Sequence, residues 1–166
     1  MLGSRFNWKI LNHKMNKLRK YLTEIESKIS QHESLNTIIS KATVGWHIEH
    51  LLLTLDIITL TLRRSDSSAY KWKFNLMRLM VFITKKIPRG RAKSPDVVVP
   101  KGTITEETLR SHFEKTKAII NLLNDIPPNQ YFEHPFFGKL NVKSTKIFLQ
   151  IHTRHHLGII KDILKN

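Results

Sequence analysis

Apolar residues in this chain recur at three- and four-residue steps through long stretches, and only a helix gathers that spacing onto one face. Over residues of about 6–33 the series is Leu11, Met15, Leu18, Tyr21, Leu22, Ile25 and Ile29. Thr43 is placed to cap a second helix running to about Arg64. A shorter helical segment, Tyr70 to Lys86, carries Trp72, Leu76, Leu79, Met80 and Ile83. The stretch IPRGRAKSPDVVVPKG, with three prolines and two glycines, reads as a loop. Thr105-Glu106-Glu107 opens a helix over about 104–125, bearing Leu109, Phe113, Ile119, Ile120, Leu122 and Leu123. Asp125-Ile126-Pro127-Pro128 stops it, HPFFGKL is a compact connector, and a last helix runs from about Asn141 to Leu164. There is no internal repeat and no low-complexity stretch.

Four long helices predict an all-α four-helix bundle, folded as a single domain over residues 1–166. An antiparallel turn needs only a few residues, whereas about forty separate the second long helix from the third. A crossover of that length, holding a short extra helix and the Pro/Gly loop, lets those two helices run parallel; the alternative is an ordinary up-down bundle with a decorated loop.

Composition narrows the chemistry. The chain has no cysteine, which removes disulfides, thiolate metal sites and a cysteine nucleophile. It has nine histidines, so His, Asp and Glu are the available ligands. No apolar leader is evident, and the longest apolar run, Leu51 to Leu62, is short and carries Asp56. A cytoplasmic protein with no membrane partner is the expectation.

The formal net charge is +15. From Arg63 to Lys101, eleven Lys and Arg residues stand against Asp66 and Asp96 alone, a surface that attracts polyanions. No zinc finger, helix-turn-helix or RNA-binding aromatic motif accompanies it.

On a wheel of the last helix, Phe148, Ile151, His152, Ile159 and Ile163 form one apolar arc, with His156 at its edge. Lys143, Gln150, Arg154 and Lys161 lie opposite, and His155 lies on the flank. His152 and His156, one turn apart, therefore point at the core, where two imidazoles can grip one metal ion. Glu49, Asp56 and Arg63 mark a solvent face of the second helix. Opposite them lie His47, Leu51, Thr54 and Ile58, with His50 and Thr61 on the shoulder. A polar stripe there suggests an interior cavity lined by imidazoles and hydroxyls. Three neutral histidines, His50, His152 and His156, would leave a fourth position open on a divalent metal, and His47 could serve as a supporting residue or general base. His13, His32 and His112 read as ordinary hydrogen-bonded residues.

The stretches TVGWHIEHLLLTLD and HTRHHLGII resemble the helix-two and last-helix motifs of the DinB/YfiT-like superfamily of metalloenzymes. The IPRGRAKSP loop and HPFFGKL connector resemble an uncharacterised DinB-like subgroup, so the likeness covers nearly the whole chain. The resemblance implies a four-helix bundle with a long second-to-third crossover. It implies metal ligands at His50, His152 and His156, a divalent metal, usually zinc or nickel, and frequent homodimers. Relatives include thiol-dependent S-transferases using a low-molecular-weight thiol and a mycothiol-dependent isomerase. Many members continue the last motif with Gly-Gln, whereas here Gly158 is followed by Ile159.

These features predict a metal-dependent transferase or hydrolase acting on a small molecule, with Arg89, Arg91 and Lys93 as candidate contacts for an anionic thiol. The competing expectations are a non-enzymatic bundle that binds nucleic acid or another polyanion, and a bundle whose metal site is structural, sensory or vestigial.

Overall fold

The computed structural model describes residues 8–90 and 94–165, the side chains of residues 8–16 excepted. The side chains of Leu11, His13 and Met15, and the residues Arg91 and Lys93, lie outside the described residues.

The described chain is mostly helical, with α1 (Trp8–Glu26), α2 (Val44–Arg64), α3 (Leu76–Thr84), α4 (Glu106–Asn121) and α5 (Val142–Ile163). A two-stranded antiparallel sheet, β1 (Tyr131–His134) and β2 (Gly138–Asn141), precedes α5.

Local chemistry sets the helix starts. Thr43 Oγ1 accepts from the Trp46 amide at 3.2 Å, and Asn141 Oδ1 accepts from the Ser144 amide at 3.0 Å. Thr105 and Thr108 close a reciprocal capping box at the head of α4. Each such cap satisfies an otherwise orphaned amide and contributes about 1 kcal/mol.

Two expectations need correction. The Tyr70–Lys86 segment is helical only from Leu76, because Asn75 caps the helix there by accepting from the Arg78 amide at 2.8 Å. HPFFGKL closes a hairpin in which Tyr131 pairs with Asn141 and His134 with Gly138. Gly138 adopts φ +67° at the end of that turn, a conformation glycine reaches without a Cβ penalty.

Helix α2 packs on α4 and α5, and α1 packs on α5 and α4, around a shared hydrophobic core. Ile25, Ile48, Leu52, Leu55, Leu109, Phe113, Leu149 and Ile160 are buried at its centre. Helix α5 is buried around more of its circumference than the expected arc, since Leu149, Thr153, Leu157 and Ile160 are covered as well.

The side of α2 expected to face solvent packs against α4 instead. Glu49 and Asp56 are partly buried there and hold His112 between them: Nδ1 lies 2.9 Å from Glu49 Oε1, and Nε2 lies 3.2 Å from Asp56 Oδ2. Burial alone would lower the His112 pKa, but the hydrogen bonds and charges of Asp56 and Glu49 prevail and raise it to about 9. Of this face only Arg63 is exposed as expected.

Candidate metal centre

His47 and His50 occupy the first two turns of α2, and His152 and His156 the middle of α5. Packing of α2 on α5 brings three of the four into a cluster. One ring nitrogen each from His50, His152 and His156 lies within 4.8 Å of the others. Ring centroids are 4.7 Å apart for His50–His156 and for His152–His156, and 5.3 Å for His50–His152.

The surroundings orient these rings. His50 donates its Nδ1–H to the Val98 carbonyl at 2.7 Å, which leaves Nε2 with its lone pair free. Trp46 stacks on the face of the same ring, 5.1 Å between centroids and 9° from parallel. His156 Nδ1 lies 3.0 Å from His47 Nδ1, and His47 Nε2 lies 3.0 Å from Ser40 Oγ. With Nδ1–H on His156 and Nε2–H on His47, both contacts become proper hydrogen bonds, and His156 likewise keeps Nε2 free. His152 rests against Phe148, centroids 5.5 Å apart, and is the least buried member of the cluster.

Electrostatics keep the imidazoles neutral. Burial, reinforced by the neighbouring histidines, pushes His152 and His156 well below the usual 6.5. Burial also lowers His50, against the pull of the Val98 carbonyl. His47 falls to about 4, through burial first and then His50, His155 and Arg89. Neutral, convergent nitrogen donors are what a divalent transition metal requires. Tetrahedral ligation at about 2.0–2.1 Å sets neighbouring donors about 3.4 Å apart. The 4.8 Å spread is therefore within reach of small side-chain rotations.

The polar stripe does not behave as one lining. Thr54 is buried but donates to the His50 carbonyl of its own helix at 2.7 Å, and Thr61 is exposed. Arg89 pairs with Asp162 at 2.8 Å, and its guanidinium passes beside Gly158. His32 and His112 stand outside the cluster.

Sequence reasoning missed Val98. Its carbonyl arrives on a short turn, Asp96–Val98, within the long connection, and that turn packs on α2. A backbone acceptor leaves no residue-type signal. The run of valines between two prolines indicates only an extended, constrained loop.

Fold and site together define a helical protein with a largely buried three-histidine cluster suited to a divalent metal. The chain belongs to the DinB superfamily, whose family model matches residues 16–160. No curated protein and no solved structure matches it.

Proposed function

We propose that this protein is a divalent-metal-dependent enzyme, a thiol-dependent transferase or a hydrolase acting on a small molecule. His50, His152 and His156 would be the metal ligands. The observation that carries this reading is the oriented, neutral cluster, in which His50 and His156 each have Nδ1 engaged and Nε2 free. Structural zinc sites are closed by four protein ligands, whereas three histidines leave a position for water or substrate.

When bound, the metal would polarise a thiol or water, lowering its pKa toward about 7 in the case of zinc-bound water. The chain's own residues supply position. The Val98 carbonyl fixes the His50 tautomer, and His47 takes the His156 proton contact and passes its own to Ser40. His47, held neutral by burial, is a positioning residue; to act as a general base it would first give up its Nδ1 contact with His156. Zinc or nickel is the proposed metal. Arg89 is the candidate contact for an anionic thiol. The four long helices are read as a four-helix bundle with a parallel second-to-third crossover, cytoplasmic and homodimeric.

The test is a turnover screen of metal-loaded wild type beside His152→Ala, using thiol-transfer and ester- or amide-hydrolysis substrates. Turnover lost with His152→Ala supports the proposal. Metal binding without turnover on any substrate class favours a structural or sensory site, seen as a chelator-sensitive melting temperature. Tight, salt-dependent binding of DNA or RNA by a metal-free protein favours the polyanion reading.

A further inference from the structure

Helix α3 has its amphipathicity turned outward. Leu76, Met77, Leu79, Met80 and Ile83 are all exposed, between 43% and 68%, and Val81 is its one buried residue. On the helix wheel the exposed five share one side with Thr84 and no charged residue, while Arg78, Val81 and Phe82 turn inward. The extended chain before it adds Trp72 at 66% and Phe74 at 65% exposure. A contiguous apolar surface of this kind on a charged protein marks an interaction site.

At the head of α3, lined in part by Phe74, lies a groove of about 300 Å³, where Lys71, Lys73, Arg78 and Lys139 meet one carboxylate, Glu133. Their contacts are to carbonyls and two rings, Arg78 lying 5.8 Å from the Trp72 ring centroid. Lys139 donates to the Ala69 carbonyl at 2.9 Å and sits 4.5 Å from the Tyr131 ring centroid. Arg78 donates to the Phe137 and Lys139 carbonyls at 3.3 and 3.4 Å, and to that of Lys73. Among the described residues none of these four cations is paired with a carboxylate, and the single Glu133 leaves the groove net positive.

We propose that the outer face of α3, with Trp72 and Phe74, docks on an anionic phospholipid bilayer, the cationic groove receiving lipid headgroups. Aliphatic side chains and a tryptophan beside a row of lysines match the two layers of a membrane interface, acyl chain below and phosphate above. A second copy fits poorly, because a two-fold contact would set this basic groove near its twin on a chain of net charge +15. Nucleic acid would answer the lysines and leave Leu76, Met77, Met80 and Ile83 without a partner. No helix among the described residues is long and apolar enough to cross a membrane, but an interfacial helix lies on the surface and needs no spanning length. The expectation of no membrane partner rested on spans alone. This proposal is independent of the metal reading.

The experiment is co-sedimentation of the full chain with phosphatidylcholine vesicles, with and without phosphatidylglycerol. Wild type is compared with Met80→Asp and with Lys71→Glu/Lys73→Glu, all confirmed as folded by their helical circular dichroism. The account expects binding to the anionic vesicles, about tenfold or more weaker on neutral vesicles or in high salt. Met80→Asp should abolish that binding, and chelator should leave it unchanged. Three outcomes overturn the proposal: no binding by folded wild type, binding indifferent to Met80→Asp, or a solution dimer that Met80→Asp dissociates. A DNA or RNA complex weakened by Met80→Asp, without vesicle binding, reassigns the face to nucleic acid.

Discussion

Stability should fall between pH 6.5 and 9 because of one residue, His112. Its folded-state pKa is raised from 6.5 to about 9. A raised pKa stabilises the fold fully below the unfolded value and loses that contribution as pH climbs through the folded value. A difference of about 2.5 units at about 1.36 kcal/mol each bounds the contribution at about 3 kcal/mol. The side chains of His112, Glu49 and Asp56 are 18%, 20% and 14% exposed, so solvent screening is limited. Linkage leaves about 2 kcal/mol at pH 7.5 and under about 0.5 kcal/mol at pH 9. Other histidines work in the opposite sense: His47 and His134, each lowered to about 4 by burial, lose their contribution as pH falls below 6.5. The assay is therefore urea unfolding in chelator at pH 6, 7.5 and 9, wild type minus His112→Gln. The difference should shrink by about 3 kcal/mol across that range. A difference constant with pH would refute the charge-based account and leave His112 a packing residue.

Further outcomes follow from the same geometry. His47→Ala should weaken metal affinity by about ten- to a hundredfold without abolishing it, measured by competition with a chromogenic chelator, because it removes the Nδ1 partner of His156. Gly45→Ala should destabilise by about 1–3 kcal/mol in urea unfolding, since the added methyl would lie 3.0 Å from the His32 carbonyl and 3.1 Å from Ile104 Cγ2. Phe113→Ala should cost about 3–5 kcal/mol in the same assay, as the ring is 2% exposed at the heart of the core.

The sequence carries the parts of this structure that depend on local chemistry. Thr43 and Asn141 mark the starts of α2 and α5 because a short polar side chain before a helix has one job to do there. The His152–His156 pair is legible because helical pitch fixes both residues on one face. That His50 joins them depends on α2 packing against α5, which periodicity only suggests. The pairing of Glu49 and Asp56 with His112 was hidden, since two carboxylates a turn or two apart look like a solvated face until a histidine from another helix reaches them. The apolar periodicity of α3 marks a face without saying where it points, and the stripe turns outward, because a wheel gives the angular spread of a face and not its direction. The hairpin escaped because its strands are four residues each and take their pairing from one another.

The central claim is that His50, His152 and His156 hold one divalent metal. The direct measurement is elemental analysis of untagged protein, wild type beside His152→Ala and a folded control such as His112→Gln. The account predicts about one equivalent of transition metal in wild type and control, lost in His152→Ala. No metal in wild type after reconstitution, or full retention in His152→Ala, would contradict it.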